Sequence, residues 1–176
     1  LSGLSLALGV AGATALREIG IADVLVKWPN DLLINNAKVA GILVETASVP
    51  AGGYKVVAGI GINVNATAHQ MQGVDQSWTS LAGELGAPLD RNEVAGRVAT
   101  AFLNAYSRFA SGGMSAFAQS WAELDAFAGQ QVKLHGHEEA VEGVARGIDA
   151  SGRLQVDIGT RTIVVDAGEV SLRRAT

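Results

Sequence analysis

The chain has 176 residues, of which 48% are hydrophobic and 17% charged, with a formal net charge of -4. That composition supplies a full apolar core and excludes an intrinsically disordered polypeptide; the acidic balance, with no basic run longer than Arg173-Arg174, excludes a generic nucleic-acid surface. Cysteine is absent, so disulfides, zinc thiolates and cysteine nucleophiles are excluded, and such a chain fits the cytoplasm.

Residues 1 to 16 carry no charge, but the run stops at Arg17-Glu18. It falls short of the ~20 apolar residues that span a bilayer, and no basic segment precedes it as in a secretory leader, so no membrane partner is expected. It predicts a buried helix over residues 3 to 19, with Leu4, Leu8, Ala11, Ala15 and Ile19 on one stripe, small Gly9, Gly12 and Ala13 permitting close packing, and Gly20 at its end. A chain that opens on Leu1 and enters an apolar helix at once reads as the later part of a longer protein.

Four runs rich in Val, Ile and Leu follow, Val24 to Trp28, Leu32 to Ile34, Val39 to Thr46 and Tyr54 to Val64, and read as strands. Asn35-Asn36 tolerates the positive φ of a tight hairpin. Short connections predict an antiparallel meander, because parallel neighbours need crossovers of a dozen or more residues. A polar loop runs to Gln76 and holds His69, a solvated histidine without ligand spacing. Helices are predicted over Ser77 to Leu85, from Asp90 with Glu93 in capping-box spacing and a stripe through Val94, Val98, Ala101, Phe102, Ala105, Tyr106 and Phe109, and over Met114 to Phe127 with Phe117, Trp121, Leu124 and Phe127 inward.

From Gly129 the texture changes to short runs, Gln131 to Leu134, Val141 to Ile148, Leu154 to Ile158, Thr162 to Asp166 and Val170 to Arg173. They describe a small SH3-like β-barrel. The expected organisation is an α+β domain over residues 1–128, a mixed, mostly antiparallel sheet packed with helices, followed by the barrel over 129–176. His135 and His137 lack a third ligand nearby and read as a surface turn.

Lys27-Trp28-Pro29-Asn30-Asp31 and Lys38 place two cations and a carboxylate near one end of neighbouring strands. Such a group suits an anionic ligand carrying a metal ion, as a nucleoside triphosphate does; a surface Lys–Asp pair in a hairpin fits the spacing equally well. Gly59-Ile60-Gly61-Ile62-Asn63 has Val64 where a dinucleotide fingerprint needs its third glycine, and no helix opens there. Its glycines mark either a bulge or a ligand lying close to the backbone.

Lys27 to Asp31, Lys38-Val39-Ala40-Gly41-Ile42-Leu43-Val44-Glu45 and Gly59 to Asn63, in this order, resemble the signature of biotin protein ligases, and Val141 to Ile148 with Ala167 to Arg173 resemble that family's C-terminal SH3-like domain. The resemblance implies a fold related to class II aminoacyl-tRNA synthetases. It also implies ATP-dependent activation of biotin to biotinyl-5'-AMP and transfer to a lysine of a biotin carboxyl carrier protein. On the same basis Lys38 is the catalytic cation; Lys38, Gly41, Ile42, Gly59, Gly61, Asn63 and Trp28 form the biotin and adenylate pocket; and Lys27, Asn30 and Asp31 place ATP, Asp31 with Mg²⁺. The family's Gly- and Arg-rich loop has no counterpart in this sequence, which keeps open a non-catalytic ligand-binding remnant or the effector-binding part of a biotin repressor, with a lipoate ligase more distant. Open strand edges would allow a sheet-to-sheet homodimer.

Overall fold

The computed structural model of the protein describes residues 1–50, 52–135, 141–167 and 171–174, and structural statements below refer to these residues. Helix α1 (Leu4–Glu18) leads into β1 (Val24–Lys27), β2 (Asp31–Ile34), β3 (Ala37–Ser48) and β4 (Tyr54–Ile62), a four-stranded antiparallel sheet in that order. Asn35 and Asn36 take φ of 49° and 65°, so the β2–β3 hairpin has the turn their side chains predict. Helix α1 is buried nearly all round rather than along one stripe, because Gly9 and Gly12 let Val26, Ile42, Leu32 and Ile60 of the sheet come against one side while α3 (Arg91–Gly112) covers another.

The predicted helix at Ser77 shrinks to α2 (Leu81–Leu85), capped by the Ser80 hydroxyl. Residues 77–79 instead run extended beside β3, where Lys38 N donates to Ser77 O (2.9 Å) and Thr79 N to Lys38 O (3.0 Å). At α3, Asp90 caps through Asn92 N, but Glu93 pairs with Arg97 one turn on, so no reciprocal capping box forms. The predicted helix over Met114 to Phe127 divides into a 3-10 turn (Met114–Phe117) and α4 (Ala118–Leu124). It stops there because Asp125 bridges to Val26 and Ala126 N donates to Val26 O at the free edge of β1. Phe117, Trp121, Leu124 and Phe127 are all buried, as their spacing predicts.

Strands β5 (Gln131–His135), β6 (Val141–Ile148), β7 (Leu154–Asp157), β8 (Thr162–Val165) and β9 (Ser171–Arg174) form the second sheet in the order β8-β7-β6-β5-β9, all antiparallel. Among the described residues it is a five-stranded sheet with β8 and β9 at its two edges. The His137 side of the histidine turn and Gly168 to Val170 lie outside the described residues. One continuous apolar cluster runs from Leu4 through Trp28 and Trp121 to Val132 and Leu172. No described helix is long and apolar enough to cross a membrane.

Gly143 on β6 shows how tightly the second sheet is packed. A Cβ there would lie 2.5 Å from the Asp157 carbonyl oxygen and 2.7 Å from Val156 Cγ1, and backbone cannot retreat as a side chain does. Gly143→Ala is expected to cost about 1–3 kcal/mol, read as a lower urea midpoint at unchanged slope.

Candidate functional site

Lys27 pairs across β1–β2 with Asp31, Asp31 across β2–β3 with Gly41, and Gly41 across β3–β4 with Gly61. Residues directly opposed in antiparallel strands share a face, so this row crosses the whole sheet on the side turned away from α1. The next opposed pair on that face is Leu43 with Gly59. A Cβ on Gly59 or Gly61 would meet nothing within 4 Å, and the β3–β4 register runs without a shift. The glycines therefore mark no bulge; they leave a bare, open floor.

Lys38 should not belong to this face. It lies three residues from Gly41, and strict alternation would turn the two to opposite sides. Between Leu32 and Leu33 the β2–β3 register slips, so that Leu32 pairs with Ala40 but Leu33 pairs with Lys38. Val39 is the extra residue, and the bulge it makes turns Lys38 onto the Asp31 face. There Lys38 Nζ lies 2.5 Å from Asp31 Oδ1, and Lys27 Nζ lies 3.8 Å from Asp31 Oδ2. A Cβ on Gly41 would sit 3.2 Å from both Cε and Nζ of Lys38 and 3.4 Å from Asp31 Oδ1. The missing side chain at Gly41 lets the lysine lie flat across the strand.

Burial is the largest influence on Lys27 and holds its ammonium below the ordinary lysine range; Asp31 opposes this, while the charges of Lys38 and Arg173 add to it. Arg173 stands on β9 of the second sheet, and its effect on Lys27 is a contribution that sequence spacing gave no means of finding. Trp78 is a second residue that spacing did not reveal: its backbone bridges to Lys38 from the extended 77–79 segment, and the residue is half-buried. An aromatic after a polar loop was the available signal, masked by reading that stretch as helix.

Other expected site residues act through the framework. Asn30 Nδ2 donates to Ile42 O (2.7 Å) and Ile42 N to Asn30 O (2.8 Å), locking the β1–β2 turn onto β3. Ile42 itself is 2% exposed with its side chain toward α1 at Gly9, and it also borders the cleft beside the turn. Asn63 braces the bulge: its backbone N–H donates to Val39 O (2.8 Å) and its amide to Thr79 O (3.0 Å) and Lys38 O (3.4 Å). Trp28 is 1% exposed and its indole N–H donates to Gly152 O (3.2 Å), which puts it beneath the site and not on its surface. A cleft of about 610 Å³ opens beside the turn, lined in part by Ser5, Pro29, Asn30, Leu43, Tyr54 and Arg153. A larger apolar groove, about 930 Å³, lies between α3 and the rear of β4, away from the lysines.

Known proteins are similar to nearly the whole chain in sequence and fold. Residues 1–65 match the Biotin/lipoate A/B protein ligase family and residues 127–173 the Biotin protein ligase C terminal domain. The apo structure of biotin protein ligase from Aquifex aeolicus superposes with a TM-score of 0.86 at 30% identity, covering 99% of this chain and 76% of that one. The chain belongs to the biotin protein ligase family. The same Aquifex protein in complex with biotin and ATP aligns with a TM-score of 0.86 at 28% identity, over 99% of this chain and 72% of that one. Among curated biotin protein ligases, the bifunctional ligase/repressor BirA of Salmonella typhimurium is 36% identical over 98% of this chain and 54% of its own length. The biotin--[acetyl-CoA-carboxylase] ligase of Mycobacterium tuberculosis is 36% identical over 95% and 61%. This chain thus spans little more than half the length of the first of these biotin protein ligases and about three fifths of the second.

Proposed function

We propose that the protein containing this chain is a biotin--protein ligase. A biotin carboxylate oxygen attacks the α-phosphorus of ATP, the bond to the bridging oxygen breaks and pyrophosphate leaves; a carrier lysine amine then attacks the acyl carbon, AMP leaves, and the amine loses its proton. The observation that carries the reading is the Lys38–Asp31 pair lying flat over Gly41 on a bare glycine floor. A fixed cation on an open face is placed to stabilise charge that grows between carboxylate and phosphate, and its counter-ion holds it in position before the reaction. Lys38 is assigned that role, with Lys27 on the triphosphate and Gly41, Gly59 and Gly61 as the floor for the ligand.

The donor set at this place does not fit a protein-held magnesium ion. Both Asp31 oxygens face lysine ammonium groups, and no cluster of three His, Asp or Glu occurs among the described residues. Asp31 is therefore read as the anchor of Lys38, and no step is routed through a metal. Residues 1–128 are assigned to the catalytic domain and 129–176 to the C-terminal domain. A biotin carboxyl carrier protein is proposed as the partner, with the open edge of β4 available to a homodimer and the cytoplasm as the location.

The test is biotin-dependent exchange of labelled pyrophosphate into ATP by the full-length protein. Exchange driven by biotin is expected. Exchange driven by lipoate instead would overturn the substrate assignment, and none with either acid would leave the ligand-binding remnant.

A further inference from the structure

The stretch that carries Lys27, Asn30 and Asp31 is held from two sides, and one of these is the second sheet. Asp149 to Arg153 forms the β6–β7 turn, and Asp149 ties it tightly: its Oδ1 accepts from Ser151 N (2.9 Å) and Arg153 N (3.0 Å), its Oδ2 from Arg153 Nε (2.8 Å), and its carbonyl oxygen from Gly152 N (2.9 Å). At the tip, Gly152 has φ of +82°, and a Cβ there would lie 2.8 Å from Gly3 Cα and 3.1 Å from Leu6 Cδ1. Only glycine seats in that position without moving the turn. Its carbonyl oxygen accepts the Trp28 indole N–H, a buried hydrogen bond between residues 124 apart in the chain.

Trp28 follows Lys27 directly, and the turn it opens delivers Asp31 to the row of ligand-facing residues. We infer that Gly152 and Trp28 are positioning residues through which the C-terminal sheet sets the Lys27–Asp31 turn, and with it the purchase of Lys27 on the phosphates. This rests on the ligase reading for its ligand but on hydrogen bonding and packing for the link itself. Arg173 of β9 acts on Lys27 from the same sheet, which is a second contribution of that sheet to the site.

The test uses Trp28→Phe, which removes the N–H and keeps most of the ring, together with Gly152→Ala and the double variant, all in the full-length protein. Amide hydrogen exchange over residues 24–34 is expected to accelerate about tenfold in each, the worth of one buried hydrogen bond. The KM for ATP in pyrophosphate exchange should rise by about the same factor with kcat within about twofold, the pattern of lost ground-state binding. The double variant should be no worse than the more affected single, since both break one link. Wild-type protection of 24–34 and wild-type KM in Trp28→Phe would overturn the inference, and Trp28→Phe decides the matter if Gly152→Ala folds poorly. A wild-type protein without biotin-driven exchange, in which 24–34 nonetheless responds to both variants, would sink the ligase reading and leave the link standing.

Discussion

Lys38→Ala is expected to lower biotin-dependent pyrophosphate exchange by at least about 100-fold, the scale of removing one preorganised charge stabiliser. The loss should fall on kcat and kcat/KM together, because the charge this lysine meets grows during attack on the α-phosphorus. Stability should change little. The Lys38 side chain is 28% exposed, and an ion pair with that much access to water is worth under about 1 kcal/mol after screening. Lys38→Arg should rescue poorly despite its charge. The ammonium and Cε already lie 3.2 Å from where a Gly41 Cβ would stand, and a planar guanidinium with its broader head has no room to lie flat there. Near-normal exchange in Lys38→Ala would remove the residue from the reaction.

The largest effect on stability is expected at Trp121. It is 1% exposed in α4, which packs on α1 and β1. Trp121→Ala should cost about 3–5 kcal/mol by lost burial and a residual cavity. Its indole N–H, however, is buried without a hydrogen-bond partner among the described residues, and an unmet buried donor costs about 1–3 kcal/mol. Trp121→Phe recovers much of that penalty while giving up part of the ring, so its net change is expected to stay within about 1 kcal/mol of wild type. Denaturant titration of the two variants reads the terms; a loss in Trp121→Phe well beyond about 1 kcal/mol would show that the N–H is satisfied. Trp28 makes the contrast, since its N–H is used.

Much of the fold was legible because its signals are local. Asn35-Asn36 can hold a two-residue turn wherever it occurs, and the stripe of α3 needs only its own periodicity. The failures were local signals outcompeted from a distance. Residues 77–79 have nothing against helix, yet they run extended because the backbone of Lys38 offers them a donor and an acceptor. Phe127 keeps its inward position but not its helix, since the free edge of β1 takes up Asp125 and Ala126.

The sequence by itself determined the residue types of the site, the order of its motifs and so the family, and the glycines that leave its floor bare. It could not determine which face those residues share. A bulge of one residue at Val39 moves Lys38 from the rear of the sheet to the side of Asp31, and spacing along a chain carries no record of register. Nor could it reveal that Trp28 serves the C-terminal turn and that Arg173 acts on Lys27. Those relations join residues more than a hundred positions apart, and only the docking of the β6–β7 turn and of β9 near the Lys27–Asp31 turn decides them.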